Sequence, residues 1–139
     1  MNTALIVGDL QRGITEHYGF ARQVLPPLKE LLPRVRATGA LVVHIHTAFR
    51  VNRADLPPGN ALFTAFYEAG DTFHEGSPDL PVHSEDVVVR KRRTSAFAGT
   101  DLDLVLRARG VDRVVVTGVA TSAMVAATAY DAADRGYWR

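Results

Sequence analysis

The sequence predicts an α/β protein built on a doubly wound parallel sheet, with helices on both faces and three layers in all. Short β-branched runs at Ala4–Val7, Leu41–Ile45, Val87–Val89 and Val114–Thr117 are too brief for buried helices, and their near-continuous apolar character suits strands covered on both sides. Between them lie segments with helical spacing that end at glycine. This alternation of strand and helix is what parallel strands joined by right-handed crossovers require.

The first strand, Ala4–Val7, runs into Asp9. A carboxylate just beyond a buried strand reads, taken alone, as a cap or turn residue. Gln11 reads as structural, holding the loop that follows. Val24 to Thr38 carries Val24, Leu25, Leu28, Leu31, Leu32 and Val35 as one apolar stripe, so it is a sheet-covering helix stopped by Gly39. Pro26 and Pro27 suit its first turn. Pro33 falls inside the stripe and is expected to kink or split the helix, because an interior proline costs about 3 kcal/mol.

Leu41–Ile45 is the second strand, and His44 and His46, two apart, share a face of it. A metal pair is one reading; hydrogen bonds to sheet and loop are the preferred one. From Val51 to Ser84 periodicity gives way to turn residues, among them Pro57, Pro58, Gly59, Gly70, Gly76 and Pro78. Leu62, Phe63, Phe66 and Tyr67 are spaced for one short helix, which makes this insert a lid or a partner surface.

Val87–Val89 leads into Arg90-Lys91-Arg92-Arg93, on its own a solvated basic turn. Lysine is scarce in this chain: of 16 Lys plus Arg, only Lys29 and Lys91 are lysines. An ammonium can be desolvated and tuned in a pocket where a guanidinium stays charged, which singles out Lys91. Thr100-Asp-Leu-Asp103 caps a helix with the stripe Leu102, Val105, Leu106 and Arg109, ended by Gly110. Val114–Thr117 is then a strand, Gly118-Val119-Ala120 a tight turn, and Thr121 and Ser122 caps for a helix reaching about Arg135, with Gly136 as its stop. That turn sits where a parallel strand ends and a helix begins. Ligands bind at that edge of open sheets, and free N–H groups there can hold a developing oxyanion.

Three segments resemble the isochorismatase-like hydrolases, or cysteine hydrolase superfamily. They are Gly118-Val119-Ala120-Thr121 before a helix, Ala4-Leu-Ile-Val-Gly-Asp-Leu-Gln11, and Val87-Val-Val-Arg-Lys-Arg-Arg-Thr-Ser-Ala-Phe-Ala-Gly-Thr-Asp-Leu102, in the family's order over nearly the whole chain. The resemblance implies the family's Rossmann-like sheet, Asp9 as general acid or base, Lys91 as its catalytic partner, and a non-proline cis peptide at Val119–Ala120. It further implies that the Ala120 and Met124 N–H groups face the cleft, with Ser95-Ala96-Phe97 beside it. Phe49, Arg50, Phe97, Thr121 and Ser122 are then candidate substrate contacts, and Arg92 and Arg93 surface or ligand-carboxylate contacts. Metal-binding relatives carry an Asp-x-His motif after the second strand; this chain reads Thr47-Ala-Phe-Arg-Val-Asn-Arg53, and neither a metal nor another cofactor is expected. The family's amidases place a nucleophilic Cys where Met124 stands, and the chain has no Cys. A thioether cannot serve as that nucleophile.

The length, 139 residues, suits one domain; 47% hydrophobic and 22% charged residues are ordinary for a globular protein. A net charge of +1 gives no general attraction to nucleic acid or anionic lipid, and no apolar run approaches a membrane span. A cytoplasmic protein with a small-molecule substrate is the resulting expectation. No Gly-rich dinucleotide fingerprint follows the first strand. The family's sheet has six strands ordered 3-2-1-4-5-6, and four are expected here, which leaves Val114–Thr117 as an edge. With Tyr137 and Trp138 close by, that edge predicts a homo-oligomer, a dimer. Three functions remain open: an Asp9/Lys91 acid-base hydrolase without a covalent Cys intermediate, an inactive binding or assembly protein, and an amidase using Ser122 or Thr121.

Overall fold

The computed structural model describes residues 2–61, 63 and 75–137. Its elements are β1 (Thr3–Gly8), α1 (Arg12–Thr15), α2 (Gly19–Arg22), α3 (Leu25–Ala37), β2 (Leu41–Thr47), β3 (Val87–Lys91), α4 (Leu102–Ala108), β4 (Arg113–Gly118), a wide π-type turn over Thr121–Val125, and α5 (Ala126–Asp134). The four strands form one parallel sheet in the order β3-β2-β1-β4. β1 lies between β2 and β4, pairing Ile6 with Val43 on one side and with Val116 on the other. β2 pairs with β3 from Val43↔Val87 to Thr47↔Lys91.

Alternate side chains of the strands feed two cores, one on each face of the sheet. Ala4, Ile6, Val43, Ile45 and Val89 pack with Leu102 and Leu106 of α4, Ala132 of α5, and Tyr137. Leu5, Val7 and Val42 pack on the opposite face with Ile14 of α1, Ala21 of α2, and Leu25, Leu28 and Leu32 of α3. Burial on both sides explains the continuously apolar runs of the central strands β1 and β2, whereas the edge strands β3 and β4 leave Val88 42% and Val115 48% exposed, short of the two-sided cover expected for them.

Two expectations about helices change. Helix α3 runs unbroken through Pro33. Both Pro33 and Lys29, whose carbonyl loses its helical donor, are exposed, so water can satisfy that carbonyl. The last helix does not start on a Thr121 or Ser122 cap: Ala120 occupies the cap position and no side chain bonds there. The Ala123 and Val125 N–H groups instead share the Ala120 carbonyl, each at 3.2 Å. Helix α4 has Asp101 at its cap position without a side-chain bond, and just outside it the Leu102 N–H donates to Thr100 Oγ1 at 3.2 Å. The expected helical residues Leu62, Phe66 and Tyr67, and Trp138 at the predicted interface, lie outside the described residues.

Among the described residues β4 pairs only with β1, so its outer edge is open, as the expectation of self-association supposed. A hollow of about 490 Å³ runs beside it, lined by Arg113–Val116, Val125, Ala129, Ala132 and Tyr137. No described helix is long and apolar enough to cross a membrane.

Candidate active site

All four strands point their carboxyl ends the same way, and the chemistry-bearing residues follow those ends. Asp9 comes directly after β1, Lys91 closes β3, Thr47 closes β2, and the Val119–Ala120 turn leaves β4. Asp9 adopts a left-handed conformation, φ 55°, while its N–H still donates to the Ile45 carbonyl at 2.8 Å. Aspartate tolerates that region better than most side chains, and the reversal re-aims the carboxylate at the sheet end. Gly8 and Gly118 lie opposite one another in the β1–β4 register. Gly118 has φ 111°, and a Cβ on it would fall within 2.5 Å of the Gly8 nitrogen. The two backbones approach closely because neither has a side chain.

Asp9 and Lys91 form a buried ion pair, Oδ2 to Nζ 3.1 Å, with side-chain exposures of 11% and 2%. Thr47 Oγ1 donates to the other Asp9 oxygen at 3.0 Å, and Lys91 Nζ also donates to the Arg93 carbonyl at 3.1 Å. Burial pushes the Asp9 carboxyl above its ordinary range; Lys91 and the Thr47 hydroxyl oppose that rise without cancelling it. Gln11 fixes Thr47 from both sides: its amide nitrogen donates to the Thr47 carbonyl at 2.9 Å and its oxygen accepts from the Thr47 N–H at 2.8 Å.

The pair opens onto a cavity of about 80 Å³ lined by Asp9, Lys91, Thr47, Thr94, Ile14, Phe20, Phe63, Val119, Ala120, Ala123 and Met124. A larger hollow of about 540 Å³ lies at the opposite, amino end of the strands, beside Thr3, Leu41 and Arg109, far from this ion pair. The smaller cavity is the candidate site, because it holds Asp9, whose carboxyl burial raises, together with its ion-pair partner Lys91. The Val119–Ala120 peptide bond is cis. The Ala120 N–H makes no hydrogen bond among the described residues, so it is available to an oxyanion. Met124 is 2% exposed, and its sulfur accepts from Thr128 Oγ1 at 3.4 Å while the end of its side chain lies over Gly8.

Asp9, Lys91, Val119, Ala120 and Met124 thus come together. Phe97 does not join them: it sits in the core, stacked on Tyr137 with ring centroids 5.8 Å apart. Phe49 is a buried support, edge-on to Phe63 at 5.5 Å, and Arg50 turns outward to Asp55. Thr121 and Ser122 are exposed and do not border the cavity. His44 and His46 diverge, His44 Nε2 pairing with Asp86 Oδ2 at 3.0 Å and His46 packing under Gly76. Phe63 comes to the lining from the insert expected to be a lid or a partner surface, whereas Thr47, Thr94, Ile14 and Phe20 are not among the expected site residues. Of these four, Thr47 alone has a sequence signal, a β-branched residue two positions past the run Leu41–Ile45, where β2 continues.

A family model, the isochorismatase domain, matches residues 3–138. The chain is 36% identical over 137 residues to YwoC, an isochorismatase family protein of Bacillus subtilis, spanning 97% of this chain and 72% of that one. It is 35% identical to a streptothricin hydrolase of Streptomyces noursei, spanning 96% of this chain and 50% of that enzyme. A cysteine hydrolase from Pseudomonas syringae superposes with a TM-score of 0.87 at 31% identity, covering 96% of this chain and 67% of that one.

Proposed function

This chain belongs to the isochorismatase family, and from that premise we propose that it hydrolyses a small metabolite by acid-base chemistry between Asp9 and Lys91, without a covalent cysteine intermediate. The supporting observation is the buried 3.1 Å pair at the carboxyl end of the sheet, opening onto a cavity lined mostly by apolar side chains. A carboxyl raised by burial exchanges its proton nearer to neutral pH than an exposed one, which suits a general acid or base. Lys91 holds the carboxylate in register when the proton has left. The Ala120 N–H is placed to stabilise negative charge on a substrate oxygen. Relatives include a hydrolase of streptothricin and amidohydrolases of ureidoacrylate and maleamate. Those acyl transfers would here need water as the nucleophile, since Met124 offers no thiolate.

The second reading is a binding or assembly protein that kept the fold, favoured by Met124, which fills the floor of the cavity beside Gly8. A Ser- or Thr-dependent amidase has no such support, because Ser122 and Thr121 are outside the cavity lining. The deciding experiment is turnover of a panel of small amides and vinyl ethers followed by NMR. Wild-type hydrolysis of one member, falling about 100-fold or more in both Asp9→Asn and Lys91→Met, is the expected result. Full rates in either variant would sink the acid-base reading. Binding of a panel member without any turnover would favour the second.

A further inference from the structure

One carboxylate pins the insert after β2 to the chain that leaves β3. Asp55 accepts from the Arg50 backbone N–H at 3.0 Å and from Arg50 Nη1 at 3.1 Å, and it lies 2.5 Å from Arg92 Nε. Its own carbonyl accepts from Arg93 Nη1 at 2.8 Å. Arg50 belongs to the segment leaving β2, whereas Arg92 and Arg93 directly follow Lys91. Asp55 therefore ties the chain leaving β2 to the chain leaving β3, next in sequence to the cavity residues Lys91 and Thr94.

Phe63 follows this tie by eight residues. Turns bonded from Leu56 N–H to the Arg53 carbonyl and from Asn60 N–H to the Pro57 carbonyl shorten the path from Asp55, and the Phe63 N–H then donates to Asn60 Oδ1 at 3.3 Å. The Phe63 ring is buried, lines the cavity, and has Lys91 Nζ 6.0 Å from its centroid. Apolar burial does not hold the tip of the loop, where Val51 is 92% exposed. Phe63 packs edge-on against Phe49, and the charges at Asp55 are a second, polar attachment upstream of it.

We infer that Asp55 is a positioning residue, a clasp that keeps the Phe63 ring closed over the Asp9–Lys91 pair. The inference rests on the reading of that pair as the reacting groups, yet its test needs no turnover. The chain has two lysines, so amine modification reports Lys91 against exposed Lys29 in the same molecule. The experiment is reductive methylation with formaldehyde and a borane, with both lysines quantified by mass spectrometry. In the wild type Lys91 reacts far more slowly than Lys29. Asp55→Asn is expected to speed Lys91 by about fivefold or more at constant Lys29 rate, since weakening a few ion pairs raises the population of local openings. Asp55→Glu should restore slow modification. Raising NaCl from roughly 0.05 to 0.5 M should speed Lys91 in the wild type, because the arginines are exposed enough to be screened.

A Lys91 rate in Asp55→Asn within about twofold of wild type, too small a change for loss of these ion pairs, would overturn the inference. So would an equal rise in Asp103→Asn, which cuts the separate Arg107–Asp103–Arg135 cluster. Should Asp55→Asn fail to fold, the wild-type salt series decides, and a flat Lys91 rate overturns the clasp. Undiminished hydrolysis by Lys91→Met would defeat the proposed chemistry while leaving the labelling result intact.

Discussion

Asp9 and Lys91 meet at 3.1 Å although their strands, β1 and β3, are not neighbours: the two side chains reach across the end of β2, where Thr47 bonds the free Asp9 oxygen. The contact is possible because three parallel strands end at one level and β2 contributes only a hydroxyl there.

Removing the cation should expose the cost of burying Asp9. Lys91→Met leaves a carboxylate unpaired in a nearly closed site, a loss of about 3 kcal/mol at neutral pH. Asp9 already has a folded pKa raised above its unfolded one, so its contribution is full below the unfolded pKa and fades as pH rises through the folded value. Without Lys91 that pKa climbs further. Urea unfolding should therefore show a smaller deficit for Lys91→Met at pH 5 than at pH 7. Equal deficits would mean that some group other than Asp9 carries the penalty.

Acid should act on the same fold through histidine. His46 is held to a pKa of about 4 by burial, with His44 and Arg90 adding to the effect, and burial lowers His44 as well despite its bond to Asp86. Groups with depressed cationic pKa values favour the folded state when neutral, so stability is lost as pH falls from about 6.5 toward 4, by on the order of 2–3 kcal/mol. Asp86, brought down to about 2 because bonds from Arg36, the His83 N–H and His44 outweigh its burial, stays ionised across that window. Chemical denaturation of His46→Gln between pH 7 and 4.5 should be distinctly flatter than that of the wild type; parallel curves would clear His46.

The sheet was legible because period and burial coincide: all four apolar runs became strands, extended by one to two residues where Thr3, Thr47, Lys91 and Gly118 continue the ladder. Asp9 and Lys91 were legible only through their resemblance to a family, since a carboxylate or a basic run after a strand is ordinary by itself. The errors fell on residues whose surroundings come from distant chain. Phe97 was assigned to the pocket but stacks on Tyr137, which only the C-terminal turn brings near. Thr121 and Ser122 look like caps in any linear reading, yet Ala120 takes the cap position and its carbonyl accepts from the Ala123 and Val125 N–H groups. Thr47 lacked a charge or motif to mark it, and its partner Gln11 lies beyond the reach of any local pattern.

Pro33 offers a test of helix energetics free of the site. It is exposed inside α3, and restoring the N–H with Pro33→Ala would let it bond the Lys29 carbonyl. Interior proline costs about 3 kcal/mol, offset by up to about 1 kcal/mol through its restriction of the unfolded chain. Pro33→Ala should therefore stabilise the protein by about 1–2 kcal/mol, visible as a raised melting temperature. A lowered one would show that the helix is already adapted to the ring.

The contact between Gly8 and Met124 should couple the two positions energetically. A Cβ on Gly8 would stand 2.6 Å from the Met124 sulfur and nearer still to its methyl, and Met124 has little room to withdraw, being buried and bonded through sulfur to Thr128. Gly8→Ala should consequently cost about 1–3 kcal/mol by overpacking. Met124→Ala alone should cost about 2–4 kcal/mol, the loss of a buried side chain plus the cavity it leaves. In the double variant the new methyl enters the space the thioether vacated, so the two penalties should fall short of their sum by about 1 kcal/mol or more. The four unfolding free energies close this cycle. Strict additivity would mean that Met124 swings clear of β1 at little cost, and the floor of the cavity would then be adaptable instead of fixed.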